Sequence, residues 1–376
     1  MIVQTENLVQ GGLALAKDPE GKILLVDGAL SGETVDVQVD RTTSTVGFAH
    51  VTNILSASPA RVFPACPVYQ SCGGCNLQHL ASGLQAEVKD ALVKENLRRI
   101  AGVEDVPSDP VASGPAWGWR IRSRFHVDLV HGKVGFLASK SNQLVALDDC
   151  PVLVGSLRNL LREKKQLLAE GRKAMFQGKG TRGLFEVSCF AGDDDISFDG
   201  KPVHISVAGI DFLVSGNVFF QSNREVLPAM ASFIRRWGEG NRVIDLYSGV
   251  GTLSAFLGER EQVTLVEKNP SCRVLACRNV PWGKAFTGDA GRFKARGPID
   301  LVLVDPPRTG LDKEVPSLIA SWKPARVLYM SCNSVTLARD VARFLQVGYA
   351  PKRLAVFDMY PQTWEQEACI VLDRKE

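Results

Sequence analysis

The stretch Val243-Ile-Asp-Leu-Tyr-Ser-Gly-Val-Gly-Thr252 decides the fold. An apolar strand-like run ends at Asp245, and Gly249 and Gly251 then turn the chain toward a helix. Glycine lets backbone approach a ligand closely, at the strand end where open α/β sheets bind ligands. No Gly-Lys-Ser/Thr follows, so this is not a phosphate loop, and Leu253 and Ser254 break a full GxGxxG pattern. The next apolar run, VTLVE, ends at Glu267, 22 residues after Asp245. A carboxylate there can accept both hydroxyls of a ribose. Asp289, in TGDA, follows the next strand position, where it can hold an adenine amino group. Working outward, IDLVLVDPP, RVLYMSC and ACIVL are further short strands. Helical segments fall near 222–237, 252–258, 270–279, 313–321 and 334–346. This alternation over 206–376 predicts a doubly wound, largely parallel sheet.

Two more strand ends carry reactive side chains. Asp305-Pro-Pro-Arg-Thr-Gly310 follows LVLV, and its paired prolines fix an extended, rigid lip. Tyr329-Met-Ser-Cys332-Asn333 ends the strand after it. Most free cysteines are small buried hydrophobes, the reading given to Cys189, Cys272, Cys277 and Cys369. Cys332 is set apart by lying at the same sheet edge as the other motifs.

Upstream the pattern changes. Residues 1–57 read as short alternating strands, ILLVDGAL, ETVDVQVD and FAHVTNIL, hence a small β-barrel. The barrel holds three basic residues against seven acidic ones, so any nucleic-acid contact must use loops or a restricted face. Residues 58–205 are mixed: a cysteine-rich loop, a helix at LQAEVKDALVKENLRRIAG with Leu84, Val88, Leu92, Val93 and Leu97 at helical spacing, then strands over 120–138. Arg120, Arg122 and Arg124 alternate in WRIRSRF and can share one strand face, as a solvated surface or an RNA-facing edge.

At 376 residues the chain is long enough for two or three domains, and 45% hydrophobic with 23% charged residues is a globular composition. A net charge of +3 excludes a polycationic coat. No apolar run approaches the ~20 residues of a membrane span, and the N-terminus lacks a secretory pattern, so a cytoplasmic protein is expected. Nine cysteines, an odd number, argue against a disulfide framework.

In order, the three motifs resemble the RNA 5-methyluridine methyltransferase family. Phe219-Phe-Gln-Ser-Asn223 matches the family's F-F-Q-x-N segment, and Phe357-Asp-Met-Tyr-Pro-Gln-Thr-Trp-Glu-Gln-Glu367 matches its terminal F-D-x-F-P-x-T-x-x-x-E segment. Residues 10–39 resemble a TRAM domain, an OB-like RNA-binding barrel. The resemblance spans essentially the whole chain. It implies a TRAM-like barrel over 1–57, a central α+β iron–sulfur and RNA-contacting domain over 58–205, and a Rossmann-like class I methyltransferase domain over 206–376. It further implies methylation of uracil C5 in RNA from S-adenosyl-L-methionine. Cys332 matches the nucleophile and Glu367 the general base, a carboxylate ionised at neutral pH if unperturbed. Gln221, Tyr247, Thr252, Glu267, Asp289 and Asp305 match the cofactor-contacting positions. Arg120 and Arg122 align with the two arginines of its Y-R-x-R segment that faces RNA, Arg124 follows, and Phe125 is the candidate base-stacking partner. Three departures stand out: Glu365 where the family often has His, Ser334 where Pro is frequent, and Thr252 in place of a common Asn. Strand alternation would put Glu365 and Glu367 on one face.

Cys66, Cys72 and Cys75 cluster, and Cys150 is distant. Four thiolates suit tetrahedral zinc or an iron–sulfur cluster. Three clustered ligands plus one favour [4Fe–4S], the arrangement of the cluster-bearing branch of the resembled family, with zinc the alternative. That branch is rich in ribosomal enzymes, so ribosomal RNA is the expected substrate, transfer RNA the alternative, and a monomer the expected form. Two other classes compete. A non-catalytic RNA-binding or assembly protein would not need Cys332, Glu367, Gln221 and the Asp-Pro-Pro-Arg motif. Amino-group methyltransferases place an aromatic residue where Arg308 stands, and cytosine C5 enzymes commonly carry a Pro-Cys that is absent here.

Overall fold

A computed structural model describes residues 1–178, 180 and 183–375. Strands Ile2–Val9, Leu13–Lys17, Ile23–Asp27, Thr34–Thr42 and Val46–Ser56 close into a barrel. Alternation turns Val3, Ala14, Ala16, Leu24, Val26, Val35 and Val37 inward, and small alanines fill the narrow interior. Glu33 anchors the barrel to the following segment. Burial pushes its carboxyl up, but Arg61 and the N–H groups of Leu30 and Ser58 outweigh this and hold it below the usual range. The barrel turn also reaches the start of helix Ser334–Gln346: Ser334 Oγ donates to Gln10 Oε1 at 3.0 Å.

A five-stranded antiparallel sheet follows, in the order Ile196–Phe198, Leu184–Ala191, Arg122–Asp128, Lys133–Leu137, Leu144–Ala146. The large sheet has eight strands: Gly283–Thr287, Gln262–Glu267, Arg242–Leu246, Leu301–Val304, Arg326–Ser331, Glu367–Arg374, Tyr349–Asp358 and Ala112–Ser113. The first five are parallel, and Glu367–Arg374 is antiparallel to both its neighbours.

The structure departs from the expected division of 58–205 in two ways. Helix Ser82–Ala101 packs on the large sheet's Tyr349–Asp358 strand and Ser334–Gln346 helix, and Ala112–Ser113 adds a strand to that sheet. The hairpin Val203–Val207/Ile210–Val214 straddles residue 205, and one apolar core runs through both regions via Phe190, Phe212, Phe220 and Phe256. Helix 82–101 also turns a different face inward than its apolar spacing predicts. Leu84 is exposed, whereas Gln85 and Lys89 are buried beside Ala86, Val93 and Leu97.

Candidate active site

Register sets the site. Leu246 pairs with Val266 and with Val304, so the turns after these strands share one edge. Tyr247 takes a left-handed φ of 59°, and Gly249 and Gly251 follow at 55° and 86°. This bent backbone leads into helix Thr252–Leu257, with Thr252 as its first residue. Glu267 holds the turn: Oε2 accepts from Gly249 N at 2.9 Å and Oε1 from Asn269 N at 2.6 Å. Asp289 caps a short 3-10 turn by accepting from Gly291 N at 2.9 Å, with Lys268 alongside. Burial raises the Tyr247 phenol to about 12, and Asp289 adds to the shift from nearby.

The antiparallel pairing Met330–Cys369 and Ser331–Ala368, continued one step, sets Cys332 opposite Glu367. Distance in sequence is thereby cancelled. Asn333 caps the next helix, Ser334–Gln346, by accepting from Val335 N and Thr336 N, so it starts cleanly without the family's proline.

Carboxyl groups crowd this edge. Asp245 accepts from Ser254 Oγ at 2.6 Å, and burial pushes it up to about 7. Asp305 also rises to about 7, from burial and then from Asp245. Glu367 is 2% exposed and lies well above the usual range, because of burial first, then the charges of Asp305 and Glu365. The expectation of an unperturbed Glu367 is therefore corrected in direction: burial, then Asp305 and Glu365, shift it toward its protonated form. Glu365 precedes the last strand rather than lying in it, so strand alternation does not place it; it pairs with Arg308 at 3.1 Å and acts on Glu367 from nearby. Burial, then Glu367, push the Cys332 thiol up to about 12, and Arg308 is the cation that opposes this. Arg308, which in the sequence argues only against amino-group methylation, thus stands beside Cys332. Tyr360 stands among Glu367, Cys332 and Glu365.

Four buried polar atoms of the motif residues have no hydrogen-bond partner among the described residues: Gln221 Oε1, Asp245 Oδ1, Ser248 Oγ and Glu367 Oε2. Buried polar groups are ordinarily hydrogen-bonded, and Gln221 Oε1 is purely an acceptor. A ligand carrying donors and positive charge fits this set, which suits the ammonium, hydroxyls and sulfonium of adenosylmethionine.

Beside this edge lies a cleft of about 430 Å³ lined by Arg120, Arg122, Arg124, Ser222 and Tyr360. The three arginines do share it, although Arg124 is paired with Glu186 at 3.1 Å and Arg120 reaches toward Gly74 O. Arg122 Nε has no hydrogen-bond partner among the described residues. Phe125 is corrected. It is fully buried and stacks on Phe136, because alternation that points Arg122 and Arg124 outward must point Phe125 inward. An exposed aromatic near the arginines is Phe219, 48% exposed, with Arg122 5.8 Å from its ring centre.

Cys66, Cys72, Cys75 and Cys150 line one cavity together with Arg120. Burial raises the Cys72 and Cys75 thiols and pushes Cys150 to about 12. Gly74 N lies 3.4 Å from Cys72 Sγ. Among the described residues no group of three or more Cys, His, Asp or Glu is gathered to hold a single metal ion. No helix among them is long and apolar enough to cross a membrane.

Comparison with known proteins agrees with this geometry. The TRAM domain family matches residues 2–52, and the tRNA (Uracil-5-)-methyltransferase family matches 295–375. The 23S rRNA (uracil(1939)-C(5))-methyltransferase RlmD of Halomonas elongata is 31% identical, over 99% of this chain and 89% of the relative. Its counterpart from Pseudomonas putida is 30% identical, over 94% and 89%. The Pyrococcus abyssi tRNA (uracil-54, C5)-methyltransferase, solved with S-adenosyl-L-homocysteine, shares the fold at a TM-score of 0.75 and 23% identity, over 99% of this chain and 100% of that one. With its barrel, its sheet-edge motifs and relatives matched from end to end, the chain belongs to the adenosylmethionine-dependent RNA uracil-C5 methyltransferase family.

Proposed function

We propose that this enzyme methylates uracil C5 through a covalent bond between Cys332 and the base. Carbon 5 of uracil is a poor nucleophile. Addition of the Cys332 thiolate to carbon 6 moves electron density to carbon 5 as an enolate. Gln221, Tyr247, Thr252, Glu267, Asp289 and Asp305 would hold adenosylmethionine, which would supply the methyl group to carbon 5 and leave as adenosylhomocysteine. Glu367 removes the carbon-5 proton, and the electron pair returns to expel Cys332. Glu367 must ionise for this. A nearby cation favours a carboxylate's charged form, so binding of a positively charged ligand moves Glu367 toward its basic form. The single observation that carries this reading is the strand register that sets Cys332 opposite Glu367.

The substrate uridine must leave its stack for carbon 6 to meet a thiol. The arginine-lined cleft running to Tyr360 suits RNA, with Arg120, Arg122 and Arg124 as the contacts. Phe219, next to Arg122, replaces Phe125 as the stacking candidate. The names of the relatives make 23S ribosomal RNA the favoured substrate, modified in the cytoplasm by a monomer with its barrel over 1–57.

The cysteine cavity suits a [4Fe–4S] cluster better than zinc. Tetrahedral zinc draws four sulfurs to about 2.3 Å from one point, whereas a cubane ligates four separate irons and spreads them. Four cysteines lining one cavity supply four thiolates, and three of them clustered in sequence with one distant support the cluster over the two short pairs usual for zinc. Methyl transfer needs no electron, so the cluster's role is structural. Mass-spectrometric mapping of 5-methyluridine in a deletion strain tests the function. Loss of one 23S rRNA site supports it. Loss confined to tRNA reassigns the substrate, and no loss anywhere refutes the reading.

A further inference from the structure

The residue proposed as base is only as well placed as the turn before it. Residues 358–364 lead from the Tyr349–Asp358 strand into Glu367, and two elements grip them, helix Ser82–Ala101 and the segment after Cys75. Lys89 Nζ donates to Asp358 Oδ1 at 2.5 Å and to Tyr360 O at 3.1 Å. Gln85 makes a two-way bond with Gln362: its Nε2 donates to Gln362 Oε1 at 3.2 Å, and its Oε1 accepts from Gln362 N at 2.8 Å. The segment after Cys75 completes the grip. Asn76 N and Leu77 N donate to Gln362 O at 3.2 and 3.0 Å, and Asn76 Oδ1 accepts from Trp364 N at 2.9 Å.

Gln362 itself has a φ of 68° and is 3% exposed. A non-glycine residue keeps such a backbone only when its surroundings over-determine it. Here every main-chain and side-chain bond of Gln362 that does so comes from Gln85, Asn76 or Leu77. Gln85 and Lys89 are four residues apart on the buried face of a helix, where their spacing calls for apolar side chains. Burying an amide and an ammonium there is costly unless both are bonded, and each is bonded to this turn.

We propose that Asn76, Gln85 and Lys89 are positioning residues that clamp the 358–364 turn so that Glu367 meets the carbon-5 proton. The inference rests on the reading of Glu367 as the base. It also makes the cysteine loop a support of the active site, because Asn76 directly follows Cys75.

The test separates base placement from the earlier steps. Adduct formation on 5-fluorouridine RNA needs Cys332 and methyl transfer but no proton removal, since fluorine occupies carbon 5. Turnover on ordinary RNA needs the base. Full-length Asn76→Ala and Gln85→Ala proteins are compared with wild type on transcribed 23S rRNA made with uridine or with 5-fluorouridine. Asn76 is exposed, so its variant should fold, and unchanged adenosylmethionine affinity by calorimetry verifies this for both. General-base catalysis contributes about 10²–10⁴-fold, so turnover should fall at least about tenfold. The methylated protein–RNA adduct should persist on uridine RNA in denaturing gels, and the 5-fluorouridine adduct should form at the wild-type rate. If both rates fall together, or turnover stays at wild type, the clamp does not position Glu367. If wild type itself forms no 5-fluorouridine adduct, the covalent reading fails first, and this proposal with it.

Discussion

Arg308 offers the sharpest perturbation. It lies between Glu365, at 3.1 Å, and the Cys332 thiol, which burial and Glu367 push up to about 12. Arg308→Met removes the cation that stabilises the thiolate, so the thiol rises further. A hydrogen bond involving a charge contributes about 1.5–3 kcal/mol. Arg308 is 68% exposed, so water screening selects the lower end, about 1.5 kcal/mol or one pKa unit. Below its pKa a thiol gains about tenfold in thiolate per pH unit. At fixed pH the variant therefore holds about tenfold less thiolate. That thiolate is more nucleophilic by a Brønsted slope of about 0.4–0.5, so net reaction slows about threefold. Glu365→Gln acts in the opposite sense: it removes a negative charge and frees Arg308, so reaction speeds up. The assay is iodoacetamide labelling between pH 7 and 10, resolved by peptide mass spectrometry, with exposed Cys277 as the internal control. Labelling of Cys332 that is unchanged in Arg308→Met, or slower in Glu365→Gln, refutes the electrostatic account.

Other expectations are direct. Glu267→Ala leaves Gly249 N without its acceptor and removes the acceptor proposed for the ribose, so adenosylmethionine affinity should fall about ten- to 150-fold by calorimetry; unchanged affinity contradicts the role. Anaerobically purified protein should be brown and hold about four irons per chain, and Cys150→Ser should lose them; colourless protein with one zinc decides otherwise. Arg122→Ala should reduce the slope of log affinity for RNA against log salt by about 0.7–0.9 while adenosylmethionine binding stays constant; an unchanged slope removes Arg122 from the interface.

Much of this was legible in the sequence because strand ends announce themselves. Apolar runs closing on Asp245, Glu267, Asp305 and Cys332 place four side chains at one edge once the strands are parallel, and the register confirms the edge. What resisted reading depends on groups from several elements meeting. The Glu367 carboxyl is shifted upward by its burial and then by Asp305 and Glu365, which come near it only in the folded chain. Arg308 looked like a negative sign until Cys332 stood beside it. The burial of Phe125 is legible in the sequence, since the alternation that exposes Arg122 and Arg124 already dictates an inward Phe125. Gln85 and Lys89 escaped notice because apolar spacing was followed through Leu84 and Val88, whereas the buried face carries polar residues whose partners lie far along the chain.

The central claim is that Cys332, facing Glu367, bonds to uracil. Incubating the protein with adenosylmethionine and 5-fluorouridine-substituted 23S rRNA, then digesting and sequencing the crosslinked peptide by mass spectrometry, tests it directly. The account predicts one adduct, on Cys332, carrying a methylated fluorouracil and absent from Cys332→Ala. An adduct on another cysteine, or one that survives in Cys332→Ala, contradicts it.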